Sequence, residues 1–386
     1  MFILKNPFTV YVLTFIIVLL LYTLGWSNLL PPISYKLYLF FFITFVISIY
    51  FAAILQRTHK LIYVRIKPNK FGFIIMIFLF LGYILEFIYF GGVPVFSFFS
   101  NSNLKFVHFG GIPTFHVLLI SFNTFYSVFL FHVFLSTRKS KDLVYLLFSI
   151  LPPILIFNRG MFISIFIGAF FVFIISKKHI SLKQFGLFSI ILGLVLYFFG
   201  LSGNYRVSRS SSSEDVLKFY EATPQFKESI IPSEYLWSYM YFVAPVGNVQ
   251  KIVQSKTSTY SFSSFMLNNI IPDFIAKRIA QLFNIKTVQP PLISPMFNVG
   301  TMYYRAFYDY GWIGMIIVFL FQCMLIFITI ALLPKHSIFF VTGVAVLNTI
   351  VLLNSFTNIM VFSGISFQLV WIFLFVQLER YKFRVS

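Results

Sequence analysis

Ten apolar runs, at 8–26, 37–55, 71–90, 113–135, 142–157, 161–176, 184–201, 310–332, 338–355 and 359–377, dominate this chain. About 20 such residues in helical form cross a bilayer, and inside hydrocarbon a helix satisfies every backbone polar group by itself. The pattern predicts an all-α polytopic integral membrane protein of about ten transmembrane helices. Composition agrees: 59% of the 386 residues are hydrophobic and 10% charged, against about 25% charged in soluble domains. The 56 phenylalanines read as the codon bias of an AT-rich genome. No small-residue cleavage site follows the first run, so it is expected to stay as the first helix. The single cysteine, Cys323, lies inside an apolar run, which leaves no disulfide framework and no cysteine-based metal site.

The formal charge of +19 would suggest a nucleic-acid partner in a soluble protein. Here its placement gives the orientation instead, because lysine and arginine favour cytoplasmic loops. With the N-terminus inside, the cytoplasmic segments hold Lys5, the group from Arg57 to Lys70, the group from Arg138 to Lys141, Lys177, Lys178, Lys183, Lys335 and the Arg380–Arg384 group, 16 of 29 basic residues. The short outer loops hold only Lys36, Lys105 and Arg159. Both termini are therefore expected in the cytoplasm, and the only long polar segment, 202–297, outside, between helices seven and eight. It carries nine basic and six acidic residues. The chain divides into an N-terminal bundle (1–201), this large extracytoplasmic loop (202–297) and a C-terminal bundle (298–386). Within the loop, the aromatic stretch 235–246 is expected to dip to the membrane surface and to end at Pro245 and Gly247. Ser208 to Ser213 form a flexible lip, and the glycine-rich segment 91–113 is expected to lie in the interface. No fixed-period repeat and no inverted pair of interrupted helices is visible.

Ionisable residues at the ends of spans are costly, which makes them functional candidates. Counted from the inner loops at about 1.5 Å per residue, Glu86 stands about 24 Å above Lys70 and Arg159 about 27 Å above Lys141. Arg206 lies 23 residues beyond Lys183, and Arg305 and Asp309 enter the span that descends to Lys335. In a hydrocarbon core of about 30 Å all five collect at the outer headgroup level. Each alone has a plainer explanation: a lone arginine snorkels to the interface, Arg305 and Asp309 at i, i+4 neutralise one another, and Glu86 is a structural partner for Arg159. Together they form a layer.

Guanidinium groups facing the outer leaflet suit a phosphate or diphosphate, which they bind bidentately while staying charged. A carboxylate in a partly desolvated site moves toward the range where it serves as a general base. The aromatic rim, including Tyr205, Tyr303 and Tyr304, suits stacking on sugars, although an interfacial aromatic belt has the same composition. His116, at the start of a span after Pro113, is a second base candidate. No nucleophile elbow, phosphate loop or zinc motif occurs, and no carboxylate cluster suggests a divalent metal.

Several of these residues sit in short motifs. Glu86 is followed by Gly91-Gly92-Val93-Pro94 and by His108-Phe109-Gly110-Gly111-Ile112-Pro113-Thr114-Phe115-His116. Asn158-Arg159-Gly160 forms a short outer turn, and Asn204-Tyr205-Arg206 opens the large loop. Asn298-Val299-Gly300-Thr301 leads to Tyr308-Asp309-Tyr310-Gly311-Trp312-Ile313-Gly314. This set, spread over about residues 70–330, resembles the Wzy-type oligosaccharide repeat-unit (O-antigen or capsular polysaccharide) polymerases.

The resemblance implies a GT-C-like inner-membrane glycosyltransferase that needs neither metal nor cofactor. It would transfer a growing glycan from undecaprenyl diphosphate to the sugar of a newly flipped lipid-linked repeat unit. Donor and acceptor would both be undecaprenyl-diphosphate-linked oligosaccharides, with membrane lipids, a chain-length regulator and a flippase as partners and no nucleic acid. Arg159, Arg206 and Arg305 would bind the diphosphate, with Arg209 in the serine-rich lip as a weaker fourth. Glu86 or Asp309 would deprotonate the acceptor hydroxyl, His116 being the alternative base, and Tyr205 and Tyr304 would contact sugar. An O-antigen ligase shares this architecture. A lipid-linked oligosaccharide flippase or transporter would need polar residues along a path across the bilayer, and the inner halves of these spans are nearly free of charge.

Overall fold

The computed structural model describes residues 4–58, 62–66, 72–99, 109–177, 181–207, 213–285 and 288–385. Their regular structure is helical, apart from one isolated bridge between Ser27 and Ala222. In chain order the helices are α1 (Pro7–Tyr22), α2 (Tyr35–Thr58), α3 (Gly72–Phe90), α4 (Pro94–Phe99), α5 (Phe115–Thr137), α6 (Ser140–Leu155), α7 (Arg159–Ser176) and α8 (Leu182–Val207). Then follow α9 (Ser213–Phe219), α10 (Pro224–Lys227), α11 (Glu234–Ser255), α12 (Phe262–Asn269) and α13 (Asp273–Leu282). The chain closes with α14 (Met302–Leu332), α15 (Phe340–Leu353), α16 (Ser363–Ser366) and α17 (Gln368–Val385).

A helix thus lies under each apolar run. Five of them, α2, α3, α5, α7 and α14, are long and apolar enough to cross a membrane, and α1 and α15 are shorter apolar helices. Lipid-facing surfaces are plain in α3, where Phe73, Ile74, Phe80 and Ile88 are each more than half exposed. In α5 the reverse holds: an unbroken stretch from Leu119 to Leu130 is buried, because α6, α7, α15, α16 and α17 all pack around it.

Several boundaries differ from those the sequence predicts. The first helix stops at Tyr22, where the chain turns through Gly25 in the left-handed region, φ 59°. The eighth continues to Val207, so Asn204-Tyr205-Arg206 closes α8 instead of opening a loop. The last span is split by the α16 turn. The largest change is in α11, which does not end at Pro245 and Gly247 but runs through both to Ser255. A proline inside a helix costs on the order of 3 kcal/mol. Here packing offsets it: Leu236, Met240, Val243, Val246, Val249 and Ile252 are all completely buried, against α8, α14 and α1. The aromatic stretch is core, not a surface element. Tyr220, Trp237, Tyr239 and Phe297 form a second hydrophobic cluster with Val18 and Tyr22 of α1.

The N-terminus is stapled to distant parts of the chain. Lys5 Nζ donates to the carbonyls of Ile175 and Lys177 at 3.1 and 2.9 Å. Asn6 Nδ2 donates to the Ala52 carbonyl, and Asn348 Nδ2 donates to that of Lys5. Midway along α1 the Tyr11 hydroxyl bonds to Thr44 and, at 2.6 Å, to the Tyr303 hydroxyl.

Helix α14 begins at Met302, eight residues before the apolar run, with the Thr301 side chain accepting from the Tyr303 N–H. It is interrupted: Tyr310 has φ −148° and ψ 19°, and Gly311 has φ 61° and ψ −150°. The second conformation is one that glycine alone adopts readily. The backbone groups freed by the break are met by the segment before α12. Thr259 N–H donates to Tyr308 O at 2.8 Å and Ser261 N–H to Asp309 O at 2.9 Å. Gly311→Ala should therefore lower stability by about 1–3 kcal/mol, and its new Cβ would also crowd the Tyr260 hydroxyl at 3.1 Å. Thermal denaturation of the detergent-purified protein measures this, and an unchanged midpoint would mean that the break tolerates a side chain.

Candidate functional site

Glu86, near the C-terminal end of α3, is fully buried. Its Oε2 lies 2.5 Å from His116 Nδ1, and its Oε1 accepts the Ile112 N–H at 3.1 Å. With the carboxylate ionised, Nδ1 carries the proton and Nε2 is left as the acceptor. The turn that carries Ile112 can approach only because residue 111 is glycine. Its φ is +57°, and a Cβ there would sit 2.6 Å from His116 Nδ1 and 2.7 Å from both Glu86 oxygens. His116 is 14% exposed on its side chain, so the pair is closed on the Glu86 side and open on the histidine side.

Hydrogen bonds and contacts tie the two helices that carry this pair to each other and to α7 and α13. Tyr83, one turn before Glu86, accepts from Asn123 Nδ2 and reaches Met161 Sδ at 4.0 Å. That contact joins α3 to Met161, two residues after Arg159 at the start of α7. Arg159 is the first residue of α7 and is exposed; Asn158 caps the helix by accepting the Met161 N–H. Arg278, on α13, donates through Nη2 to the Thr114 hydroxyl, two residues from His116. Thr114 itself has φ 70° and ψ −51°, an unusual conformation for a β-branched residue. Helix α13 is held in place at its start, where Asp273 Oδ1 accepts from the Ser363 N–H and hydroxyl at 3.0 and 2.5 Å, and Asp273 N–H donates to Val361 O. The polar segment between α8 and α14 is thereby tied to the turn before α16 through Asp273 and to Thr114, at the start of α5, through Arg278.

The sequence places Glu86 and Arg159 in one layer with Arg206, Arg305 and Asp309 and offers His116 as a separate base candidate; the structure joins Glu86 to His116. Glu86 takes His116 as its partner rather than Arg159. Asp309 is buried before the break in α14, with Oδ2 accepting from Asn268 and Asn269 Nδ2 at 3.0 Å each. Arg305 donates to Gln289 Oε1 at 2.7 Å and to Val288 O, so it and Asp309 bond to different partners instead of to each other. Tyr304 is buried and its hydroxyl donates to the Pro290 carbonyl at 2.9 Å, which makes it a strut for the chain entering α14. Tyr205 and Arg206 fall in the last turn of α8, whose side chains there are outside the described residues, as is Arg209 altogether. Among the described residues no group of three or more histidine, cysteine, aspartate or glutamate side chains converges on a metal position.

Sequence reasoning missed Arg278. Nothing marks it out in a polar, amphipathic helix with Lys277 beside it and Asp273 one turn earlier. The pairing of Glu86 with His116 had a fainter signal in Gly110-Gly111 placed just before Pro113, a turn able to come close to a side chain.

A carboxylate that orients an imidazole through Nδ1 leaves Nε2 as a general base and steadies the imidazolium that forms. Two arginines near such a pair supply fixed positive charge for an anionic group. No protein-family model, curated protein or solved structure matches this chain.

Removing the buried carboxylate should be worse than neutralising it. Glu86→Ala strands the His116 Nδ1–H and the Ile112 N–H at about 1–3 kcal/mol for each donor that stays dry, while Glu86→Gln retains an acceptor for one of them. The thermal midpoint of the alanine variant should accordingly fall further. Equal midpoints for the two would show that water replaces the carboxylate.

Proposed function

We propose that this chain is a glycosyltransferase of the membrane. It would polymerise undecaprenyl-diphosphate-linked oligosaccharide repeat units into O-antigen or capsular polysaccharide at the outer face of the cytoplasmic membrane. The single observation that carries the reading is the Glu86–His116 pair, with Arg278 bonded to Thr114 two residues before the histidine. In this reading ten helices cross the inner membrane, both termini are cytoplasmic, and the segment after α8 lies outside.

The reading assigns the following roles. His116 Nε2 takes the proton of the acceptor hydroxyl as that oxygen attacks the anomeric carbon of the donor. Glu86 holds the ring in the required tautomer and offsets the charge the ring gains. The bond from the anomeric carbon to the diphosphate breaks, and the electron pair leaves with the diphosphate. Arg159 and Arg278 stabilise that developing charge, with Arg206 and Arg305 as further phosphate ligands. Asp309, satisfied by two asparagines, has a structural part here, and Tyr304 does not reach sugar.

A second reading is favoured by the broken helix. Transporters place binding sites at discontinuous helices, and α14 has such a break beside a buried carboxylate. A lipid-linked oligosaccharide flippase would use Asp309 rather than Glu86.

Purified protein given a lipid-diphosphate-linked repeat unit, with no nucleotide sugar or metal, separates these readings. A ladder of products supports polymerisation, and a single product on an added lipid acceptor indicates a ligase. Translocation across vesicles without product indicates a flippase. His116→Ala and Arg159→Ala are each expected to lower polymer formation by roughly 10²-fold or more at normal protein abundance, and Arg278→Lys should do worse than its retained charge would suggest. Asp309→Asn should be mild in the polymerase assay. Wild-type chain lengths in the His116 variant would remove the dyad from the mechanism.

A further inference from the structure

Helix α7 carries an apolar groove on its lipid-facing side, outside the polar site. The cavity is about 390 Å³, and no residue that lines it is polar. Phe162, Phe166, Phe170 and Phe173 line it from α7 with Ala169 between them, and α6 closes the other side through residues such as Leu146. At 3.6 residues per turn these four phenylalanines and Arg159 fall within about 80° of one another around the helix axis, so the arginine heads the same stripe. From Phe162 to Phe173 the stripe is about 16 Å long, and Phe162 and Phe166 are 45% and 53% exposed to its opening.

A cation at the outer end of a trough walled only by hydrocarbon is the complement of an amphiphile with an anionic head and a long apolar tail. We propose that this groove seats the polyisoprenyl chain of a lipid diphosphate whose phosphates lie at Arg159, an inference that rests on the glycosyltransferase reading and adds the subsite for the lipid. Hydrocarbon gains little by moving from lipid to protein, since the two are equally apolar. Selectivity must come from dispersion contacts with fixed aromatic walls. About ten such contacts at optimal distance correspond to roughly a tenfold preference for a long chain over a short one. Ala169 is the place to block the groove, because its small side chain leaves the space between Phe166 and Phe173.

The test measures binding to the full-length protein in nanodiscs of phosphatidylethanolamine and phosphatidylglycerol, with radiolabelled undecaprenyl diphosphate displaced by unlabelled competitors. Wild type should prefer undecaprenyl over geranyl diphosphate by about tenfold. Ala169→Trp should lose that preference while keeping its affinity for geranyl diphosphate, and Phe166→Ala, which widens the trough without adding bulk, should reduce it. Ile77→Trp, on the lipid-facing side of α3, should leave it intact. Retention of the preference in both groove variants overturns the proposal. So does displacement of the label by added phosphatidylglycerol as readily as by undecaprenyl diphosphate, which would make the groove an ordinary lipid contact. The binding assay needs no turnover. Chain-length preference without polymer rejects the polymerase and leaves the groove; polymer made equally well from either chain length rejects the groove alone.

Discussion

Hydrocarbon supplies no hydrogen bonds, and the polar exceptions in this bundle are arranged around that fact. Where α14 breaks, the freed carbonyls of Tyr308 and Asp309 are met by Thr259 and Ser261, and the Asp309 carboxylate by Asn268 and Asn269. The segment 257–269 is therefore what allows the helix to be discontinuous. Its side chains and backbone act where water would act in a soluble protein, in keeping with the rule that irregular backbone at membrane depth must be enclosed by protein.

The same constraint explains the closeness of the Glu86–His116 pair. A buried carboxylate without partners would be expensive, and its two oxygens are divided between an imidazole and a backbone amide. That division requires the chain at 111 to approach closer than any side chain permits. Helix α13 then brings the polar insertion back over the pair and holds it from both ends, through Asp273 on the α16 turn and Arg278 on Thr114. The insertion is less an appendage than a strap between the two halves of the bundle.

How much of this was legible in the sequence depended on the range of the interactions. A helix under each apolar run follows from local hydropathy, and Glu86 and His116 stood out as an ionisable residue near the end of one run and a histidine at the start of another. The burial of α11 was hidden because tyrosine, tryptophan and proline in a polar segment have the composition of a surface element. Only packing by α8 and α14 makes them core. The partner of Glu86 was hidden because it depends on a glycine turn 25 residues away. Arg278 was hidden because it reaches Thr114 from 164 positions along the chain, and neither residue is unusual where it stands.

The staples at the N-terminus also bear on how the protein is made. Helix α1 is synthesised well before Tyr303 and Asn348, yet its neighbours include the first, and the carbonyl of Lys5 is met by the second. A chain emerging from the ribosome holds α1 in the bilayer for most of its synthesis before either partner exists. Until then the Tyr11 hydroxyl has only Thr44 for company, and Lys5 waits for the end of α7. Assembly of the bundle includes closing these distant contacts onto a segment made well before their partners, a step whose loop-closure cost is paid late. Truncated or stalled chains would thus present a first helix that is inserted but unseated, the form a quality-control protease could recognise.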